Sequence, residues 1–271
     1  MGTTRASRAD DISPDRKNAR TVAPRRTERR LGRMTWRDVR AALDEGRDRV
    51  VVPFGAVEQH GSHLPLETDA LLGDRLGPLL AERLDALCAP TVPIGCSEYH
   101  MGRAGTLSLR PTTLHLIARD VAESLARHGF RTIVLLATHG GNAAPLAHAA
   151  RTLEPPSGVR IVAVADIDAL GRALHGACNG RGLSFVEAFA HAGEIETSLV
   201  LALAPAALRA PSDQGGDETE RPLERAGTGS PPGSGDAGRA TKATGRSYVA
   251  AFLAECLRQL NAQGVSPCAC A

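Results

Sequence analysis

The sequence of 271 residues predicts an α/β fold, in which a parallel β-sheet is covered by helices on both faces. The first observation is a set of short, continuously apolar runs, such as residues 131–137, that are typical of strands buried on both faces. The second is the alternation of these runs with longer segments whose apolar residues recur at helical spacing, such as residues 69–87. An apolar fraction of 42% and a charged fraction of 23% are those of a globular protein and suit this fold.

Local signals mark where the predicted elements begin and end. Thr35 and Asp38 are spaced as a capping box, which predicts a helix that starts after Thr35. Pro111 suits the first turn of another helix, and Gly129 is a typical stop signal at its end. The predicted helices cover residues 35–46, 69–87, 111–128, about 143–153, about 183–190, 194–204 and 244–260. The predicted strands cover residues 50–54, about 89–95, 131–137 and 159–165.

Three segments lie outside this pattern. Residues 1–33 have little apolar periodicity and carry ten Lys and Arg residues against four acidic ones, which predicts a disordered basic tail. The tail suits a nucleic-acid or membrane-surface arm, or an upstream extension without function, and Met34 just before a helix start favours the second. Residues 205–245 are rich in Gly, Pro, Ser and charge and predict a long flexible loop. The folded domain is therefore predicted to span residues 34–261, with residues 262–271 as a C-terminal tail.

Composition and hydropathy exclude several classes of function. No apolar stretch follows the N-terminal basic residues as in a secretory signal, and none reaches the ~18 residues that cross a bilayer. Aromatic residues make up only 3% of the chain, too few for a surface that stacks single-stranded nucleic acid. The six cysteines show no paired spacing apart from Cys268-x-Cys270, so a disulfide framework is not expected. We therefore expect a cytoplasmic protein with neither a nucleic-acid nor a membrane partner.

The segment with the most chemistry follows the predicted strand at 50–54. Glu58, His60 and Asp69 lie within twelve residues, beyond the carboxyl end of a parallel strand, where α/β sheets bind their ligands. Glu58 and His60 are two residues apart, so their side chains project to the same side of an extended chain. Mixed oxygen and nitrogen ligands of this kind suit Zn, Mn or Fe better than Ca. By itself, however, the segment is equally compatible with a solvated polar loop.

Two further motifs offer metal ligands. His139-Gly140-Gly141-Asn142 ends the strand at 131–137, and His191-Ala192-Gly193-Glu194-Ile195-Glu196 leads into the helix at 194. Each has a structural alternative, His139 as a hydrogen-bonded loop residue and the two glutamates as carboxylates that stabilise a helix N-terminus. Together the three motifs present more ligands than one ion needs, which predicts a pair of ions with Asp69 as the bridge. The candidate ligands are Glu58, His60, Asp69, His139 and Glu194.

In this order and spacing, the three motifs resemble the creatininase (creatinine amidohydrolase) family over about residues 34–255. The resemblance implies a three-layer α/β sandwich with a mostly parallel central sheet, a site for two divalent metal ions and often a hexameric assembly. It also implies that Glu58 and His139 bind one ion and His60 the other, with Asp69 between them. Creatininase takes a further carboxylate from the position of Gly141. In relatives with His-Gly-Gly-Asn, the position of Glu194 supplies that carboxylate instead.

The same resemblance implies roles in catalysis and substrate binding. His191 matches the family's candidate proton donor to the leaving nitrogen. Glu196 would orient His191 or a metal ligand, or serve only the start of the helix. Gly95-Cys96-Ser97-x-x-His100 matches a family stretch near the substrate. Ser97, His100 and Asn142 are therefore candidate substrate contacts.

The function that follows is hydrolysis of a C–N amide bond, in a small molecule or a short peptide, by water activated between two divalent metal ions. Creatinine itself is disfavoured because Gly141 departs from creatininase. Within the family, the alternative is a peptidase that trims the mycofactocin precursor peptide. The alternatives of other classes are a sugar-lactone or keto-sugar hydrolase and a non-enzymatic protein with structural metals. Loops at about 96–105, 171–185 and 205–245 are expected to determine the substrate.

Overall fold

A parallel sheet forms the centre of the molecule. The computed structural model describes residues 28–177, 190–209 and 237–267. Within these residues the sheet has four strands in the order β2-β1-β3-β4, and all neighbours are parallel, which confirms the predicted α/β fold. The strands are β1 (Arg49–Phe54), β2 (Leu87–Cys88), β3 (Thr132–Ala137) and β4 (Arg160–Val164). The two central strands, β1 and β3, pair along six residues, so their carboxyl ends lie side by side.

The strand predicted at about 89–95 is wrong in position and length. The observed β2 is only Leu87–Cys88, and beyond it Val92 makes one isolated parallel bridge to Phe54. Pro90 and Pro93 explain the difference, because proline has no N–H to donate to a sheet ladder. Residues 89–95 therefore stay beside β1 without forming a continuous strand.

Helices follow or connect the strands, and most lie within a few residues of the prediction. The Thr35 side chain accepts a hydrogen bond from the N–H of Asp38, and the Asp38 carboxylate accepts from the N–H of Thr35, so the predicted capping box is confirmed. Gly129 ends its helix in the left-handed conformation, with φ of +109°. The helices are α1 (Trp36–Asp44), α2 (Thr68–Arg83), α3 (Pro111–His128), α4 (Ala143–Thr152), α5 (Ile167–Gly176), α6 (Glu194–Leu203) and α7 (Lys242–Ala262).

Helix α5 was not predicted, and its last six residues lie in the expected substrate loop at 171–185. Asp166 caps α5, because its side chain accepts a hydrogen bond from the N–H of Ala169. Leu170 and Leu174, four residues apart, are buried on one face. These signals were available in the sequence. The predicted helix at about 183–190 lies outside the described residues, apart from its last position.

Two apolar cores lie on opposite faces of the sheet. Alternate side chains of β1 point in opposite directions, as in any strand. Val50 and Val52 belong to the core with α1, α3 and α4, whereas Val51 belongs to the core with α2, α5, α6 and α7. The molecule is therefore a three-layer sandwich, as the sequence implied.

The ends of the predicted domain differ from the prediction where the structure describes them. Glu28–Arg33, which the prediction assigned to the tail, contact the body: the carbonyl of Arg29 accepts from the N–H of Cys88 at 2.7 Å, and its guanidinium lies 2.9 Å from the Asp85 carboxylate. Residues 1–27 and 210–236 lie outside the described residues. The predicted loop at 205–245 includes the first residues of α7, because that helix begins at Lys242.

None of the described helices combines the length and the apolar character that crossing a membrane requires. The cysteines that the structure describes, Cys88, Cys96 and Cys256, carry free thiols.

Candidate metal centre

Four of the five predicted ligands meet where β1 and β3 end. Glu58 and His60 lie in the loop after β1, His139 follows β3, and Asp69 is in the first turn of α2. They come together because the carboxyl ends of parallel strands share one edge of the sheet. One potential ligand atom from each of Glu58, His60 and Asp69 lies within 4.8 Å of the others.

Asp69 lies between the two imidazoles and presents a different oxygen to each. Its Oδ1 is 3.4 Å from His60 Nε2, and its Oδ2 is 2.9 Å from His139 Nδ1. Glu58 Oε2 lies 3.4 Å from His139 Nε2. A carboxylate with one oxygen toward each histidine is the arrangement that a bridge between two ions requires.

Two ligand atoms in this cluster are buried and have no hydrogen-bond partner among the described residues. Glu58, His60, Asp69 and His139 are each at most 8% exposed. Among the described residues, no hydrogen-bond partner is found for Glu58 Oε2 or His60 Nε2, and Asp69 Oδ2 has only His139 Nδ1 nearby, at 2.9 Å. A buried polar atom without a partner costs about 1–3 kcal/mol, so two of them in one cluster need an explanation. Nitrogen and carboxylate donors directed to one place fit divalent cations such as Zn, Mn or Fe.

Backbone carbonyls orient both imidazoles. His60 Nδ1 donates to the carbonyl of Glu58 at 3.1 Å, which leaves Nε2 facing Asp69. His139 Nε2 donates to the carbonyl of Cys96 at 3.0 Å, which leaves Nδ1 facing Asp69. Hydrogen bonds of this type, from the ring nitrogen that does not bind the metal, are usual for histidine ligands.

The pKa values of the clustered side chains are shifted in ways that suit the binding of cations. Burial disfavours a charged imidazole, but Asp69 outweighs it and raises the pKa of His60 to about 10 and that of His139 to about 9. Burial also opposes ionisation of Asp69, yet His60 and His139 hold the pKa of its carboxyl well below its usual range. Burial raises the pKa of Glu58. Without metal, the two imidazolium protons therefore supply positive charge that bound metal ions would replace.

The structure separates Glu194 from this cluster and places Glu196 next to it. The Glu194 carboxylate accepts hydrogen bonds from Ser198 Oγ at 3.0 Å and Tyr248 OH at 2.5 Å. Glu196 Oε2 lies 3.9 Å from His60 Nε2 and accepts from the N–H of Ala192 at 2.5 Å. The Glu194 carboxylate is thus bound to Ser198 and Tyr248 in this structure, whereas the Glu196 carboxylate faces His60.

His191 lies between His60 and His100. Its ring centroid is 4.4 Å from each of theirs. Nε2 of His191 donates to the carbonyl of Gln59 at 2.5 Å, and Nδ1 faces Glu58 Oε1 at 3.7 Å. His191, the predicted proton donor, thus lies at the site. Its Nε2 is bound to the Gln59 carbonyl, and its Nδ1 faces the Glu58 carboxylate.

Of the three candidate substrate contacts, two lie beside Glu58. His100 Nε2 is 3.4 Å from Glu58 Oε1, and the buried hydroxyl of Ser97 lies close enough to Glu58 to favour its charged form. Burial, together with His191, lowers the pKa of His100 to about 4, so His100 is neutral at pH 7.

Asn142 has a different role from the predicted one. Its side chain is fully buried, donates to the carbonyls of Phe54 and Gly55 at 3.1 and 2.9 Å, and accepts from the N–H of Cys96 at 2.9 Å. All of its polar atoms therefore bind backbone, and none is available to a substrate. Asn142 joins the end of β1 to the loop that carries Ser97 and His100.

Two polar residues at the site were not singled out in the sequence. Gln59 contacts both His100 and His191. His63 Nε2 is hydrogen-bonded to Thr197 Oγ1 at 2.9 Å, which joins the loop after β1 to α6. Both residues belong to a motif that the sequence did reveal, but only contacts with distant residues distinguish them from ordinary loop residues.

Gly141 allows the close approach of two loops. A Cβ atom at this position would collide with the carbonyl oxygen of Cys96 and would lie 2.6 Å from His139 Nε2. The same carbonyl orients His139, so a side chain at Gly141 is incompatible with this arrangement. A carboxylate at that position would require a different path for the loop around Cys96.

The parallel sheet and the buried cluster of carboxylates and imidazoles at its carboxyl edge together define a metal-binding α/β protein of the hydrolase type. The chain belongs to the creatininase family, because the family model described as creatinine amidohydrolase matches residues 32–260. It is accordingly a hydrolase that acts on carbon–nitrogen bonds.

Three comparisons illustrate the relationship. The chain is 30% identical over 234 residues to the mycofactocin precursor peptide peptidase of Mycobacterium tuberculosis, covering 78% of this chain and 84% of that protein. It is 34% identical over 117 residues to the creatinine amidohydrolase of Pseudomonas putida, covering 41% of this chain and 45% of that protein. A mutant creatininase described as Zn-Zn type superposes with a TM-score of 0.67 at 25% identity, covering 87% of this chain and 98% of that one.

Proposed function

We propose that this chain hydrolyses an amide bond in a small molecule or a short peptide with the help of two divalent metal ions, Zn, Mn or Fe. The observation that carries the proposal is the buried cluster of ligand atoms on Glu58, His60 and Asp69, in which Glu58 Oε2 and His60 Nε2 have no hydrogen-bond partner among the described residues. Apolar residues at these positions would stabilise the fold more than buried polar and charged groups do. The cluster is therefore best explained by the binding of cations.

The residues divide into two sets that share Asp69. Glu58, Asp69 and His139 would hold one ion, because Asp69 Oδ2 lies 2.9 Å from His139 Nδ1, the ring nitrogen that does not bind the Cys96 carbonyl, and Glu58 lies beside the same ring. His60, Asp69 and Glu196 would hold the other, because both carboxylates face His60 Nε2. Bound ions of this type polarise a carbonyl group and lower the pKa of water from about 15.7 toward about 7.

His191 is placed to handle the proton of the reaction. Its Nε2–H is committed to the carbonyl of Gln59, so the proton that can be exchanged is the one on Nδ1, beside Glu58 Oε1. The nitrogen that leaves an amide must be protonated before it departs, and a general acid at this position would supply that proton.

A peptide substrate is favoured by two observations. The chain is 30% identical to a mycofactocin precursor peptide peptidase over 84% of that protein's length. In addition, Tyr99 and Met101 flank His100 and are at least half exposed, and Leu107 nearby is almost half exposed. Such apolar surface beside the site suits a substrate with apolar side chains more than it suits a small polar ring.

The experiment is a hydrolysis assay with metal-depleted protein reconstituted with Zn, Mn or Fe. The substrates would be creatinine, linear amides, formamides and a peptide with the C-terminal region of the mycofactocin precursor, with amine release as the signal. We expect activity to return with metal and to be higher on the peptide than on creatinine. Full activity after exhaustive chelation would contradict the proposal. Activity on linear amides alone would exclude a peptide as the substrate.

We propose that the chain forms a homo-oligomer, up to a hexamer, as the family resemblance implies, and that it resides in the cytoplasm. Light scattering coupled to size-exclusion chromatography tests the first expectation, and a single-chain mass at micromolar concentration would contradict it.

A further inference from the structure

Gln59 lies between two proposed ligands, but its side chain points toward a histidine that is not one of them. Gln59 Oε1 accepts a hydrogen bond from the N–H of Gly61 at 3.1 Å, and Nε2 lies 3.1 Å from Nδ1 of His100. The backbone of Gln59 is also bound, since its carbonyl accepts from His191 Nε2 and its N–H donates to Thr106 Oγ1.

These contacts determine which nitrogen of His100 carries a proton. The N–H of Gly61 can only donate, so the oxygen of the Gln59 amide must face it and the NH₂ group must face His100. An NH₂ group can only donate, so Nδ1 of His100 must be the acceptor and carries no proton. The proton of the neutral ring is therefore on Nε2, which lies 3.4 Å from Glu58 Oε1.

The protonated atom matters because His100 could otherwise bind metal. Glu58, His100 and His191 each place one potential ligand atom within 4.8 Å of the others, which is a possible third metal position. A ring nitrogen that carries a proton cannot bind a cation. An ion at this position would also occupy the Nδ1 atom of His191 that the proposed acid needs.

We propose that Gln59 is a positioning residue that keeps His100 in the Nε2–H form, so that the Nε2 proton faces Glu58 and His100 does not recruit a third metal ion. This goes beyond the proposed function and rests on it for the metal dependence and for the role of His191, whereas the protonation of His100 is measured independently of both. This series of contacts runs from Gly61 through Gln59 and His100 to Glu58, and its last step is the 3.4 Å distance between Nε2 and Oε1. It thus connects the backbone of the loop after β1 to a proposed ligand.

The first test is the protonation of the His100 ring in the Gln59→Glu variant. A carboxylate keeps the shape and still accepts from Gly61, but toward His100 it can only accept, so Nδ1 must now carry a proton. Two-bond ¹H–¹⁵N correlation spectra distinguish the two ring nitrogens, and the signal missing in His100→Gln assigns the residue. We expect Nε2–H alone in the parent protein and a protonated Nδ1 in Gln59→Glu, both with and without zinc.

His191 is an internal control in the same spectra. It binds the backbone carbonyl of Gln59, so its signals should keep the Nε2–H pattern in the variant. A parent protein with His100 protonated on Nδ1, or a variant with an unchanged His100, would overturn the proposal. This measurement needs no substrate. It therefore tests the role of Gln59 even if the protein proves inactive on every amide.

The second test is inhibition by excess zinc. Gln59→Met has similar length and no hydrogen bond, so it frees His100 to expose Nε2 as a ligand. We expect excess zinc to inhibit this variant at concentrations about tenfold lower than the parent, the usual scale for loss of an orienting hydrogen bond at a metal site. Adding His100→Phe should abolish the extra sensitivity. If the sensitivity persists in the double variant, or is absent in Gln59→Met, His100 is not the third ligand.

Discussion

Glu194 and Glu196 are two residues apart in the first turn of α6, and their carboxylates have different surroundings. Glu194 faces Tyr248 and Ser198 in the interior, whereas Glu196 faces His60 at the metal centre. Successive helix residues are rotated by about 100°, so neighbours two apart point to nearly opposite sides. The same sequence motif therefore presents one carboxylate to the interior and one to His60.

Matched amide variants separate these two roles. In Glu196→Gln we expect the affinity for one of the two ions to fall tenfold or more, with the stability of the metal-free protein little changed. In Glu194→Gln we expect both ions to be retained and the free energy of unfolding to fall by about 1–3 kcal/mol, because an NH₂ group cannot accept from Tyr248 or Ser198. Metal analysis and urea unfolding measure both. The reverse pattern would restore Glu194 as the ligand.

His191 has two possible uses, as an acid and as a metal ligand. The geometry allows a ligand role, because His191 groups with His60 and Glu196 as well as with Glu58 and His100. As an acid, His191→Ala should lower kcat by about 10²–10⁴ and leave KM and the metal content unchanged. Metal analysis of the purified variant, beside steady-state kinetics, makes the distinction. Loss of an ion in His191→Ala would identify it as a ligand.

At the scale of elements, the site depends on loops that approach each other closely. The loop after β3 passes beside Cys96, and Asn142 fixes the same region to the end of β1. His139 is held by two elements, because it follows β3 but is oriented by a carbonyl from the loop at 95–97. Precise placement of the metal centre thus comes from contacts between loops.

The two glycines of the His139 loop provide a test of this dependence. Gly141→Ala would push the Cys96 carbonyl away from His139, so we expect metal affinity to fall by about tenfold or more. Gly140→Ala is the matched control, because a Cβ there meets nothing within 4 Å. Zinc titration of the two variants gives the comparison. Equal affinities would show that the Cys96 carbonyl does not control His139.

Elements with strong local signals were predicted well, and others were not. The capping box of α1, the glycine stop of α3 and the strand β3 are local features, and each was predicted within a residue or two. Strand β2 was predicted too far toward the C-terminus. An apolar run that contains prolines still has the pattern of a strand, and only its hydrogen bonds show that it is not one. Helix α5 was missed, although Asp166 and the leucines at 170 and 174 were visible signals.

At the scale of the whole molecule, metal binding and protonation are coupled. The pKa values of about 10 for His60 and about 9 for His139 lie above the ordinary value of 6.5. Raised values mean that the folded, metal-free protein holds more protons than the unfolded chain. Their contribution to stability is complete below pH 6.5 and is lost as pH rises through 9 to 10. A bound ion must displace these protons, so the metal-loaded form has the opposite preference.

We therefore expect zinc binding near pH 7.5 to release about two protons per chain and to become tighter as pH rises, by about tenfold per pH unit for each ion. Calorimetry in buffers with different heats of ionisation counts the protons. Urea unfolding of the chelated protein should show stability falling between pH 7 and 9.5. Binding heats that are independent of the buffer would contradict the proposed use of His60 and His139.

The sequence by itself determined the fold class, the family and the short list of chemically capable residues, because apolar periodicity and motif spacing are properties of neighbouring positions. Tertiary structure decided which of these residues meet, that Glu196 and not Glu194 faces His60, and that Asn142 is committed to backbone. The rotation of α6 is set by partners such as Tyr248, 54 positions from Glu194. A contact over that distance depends on how the whole chain packs, and no local pattern encodes it.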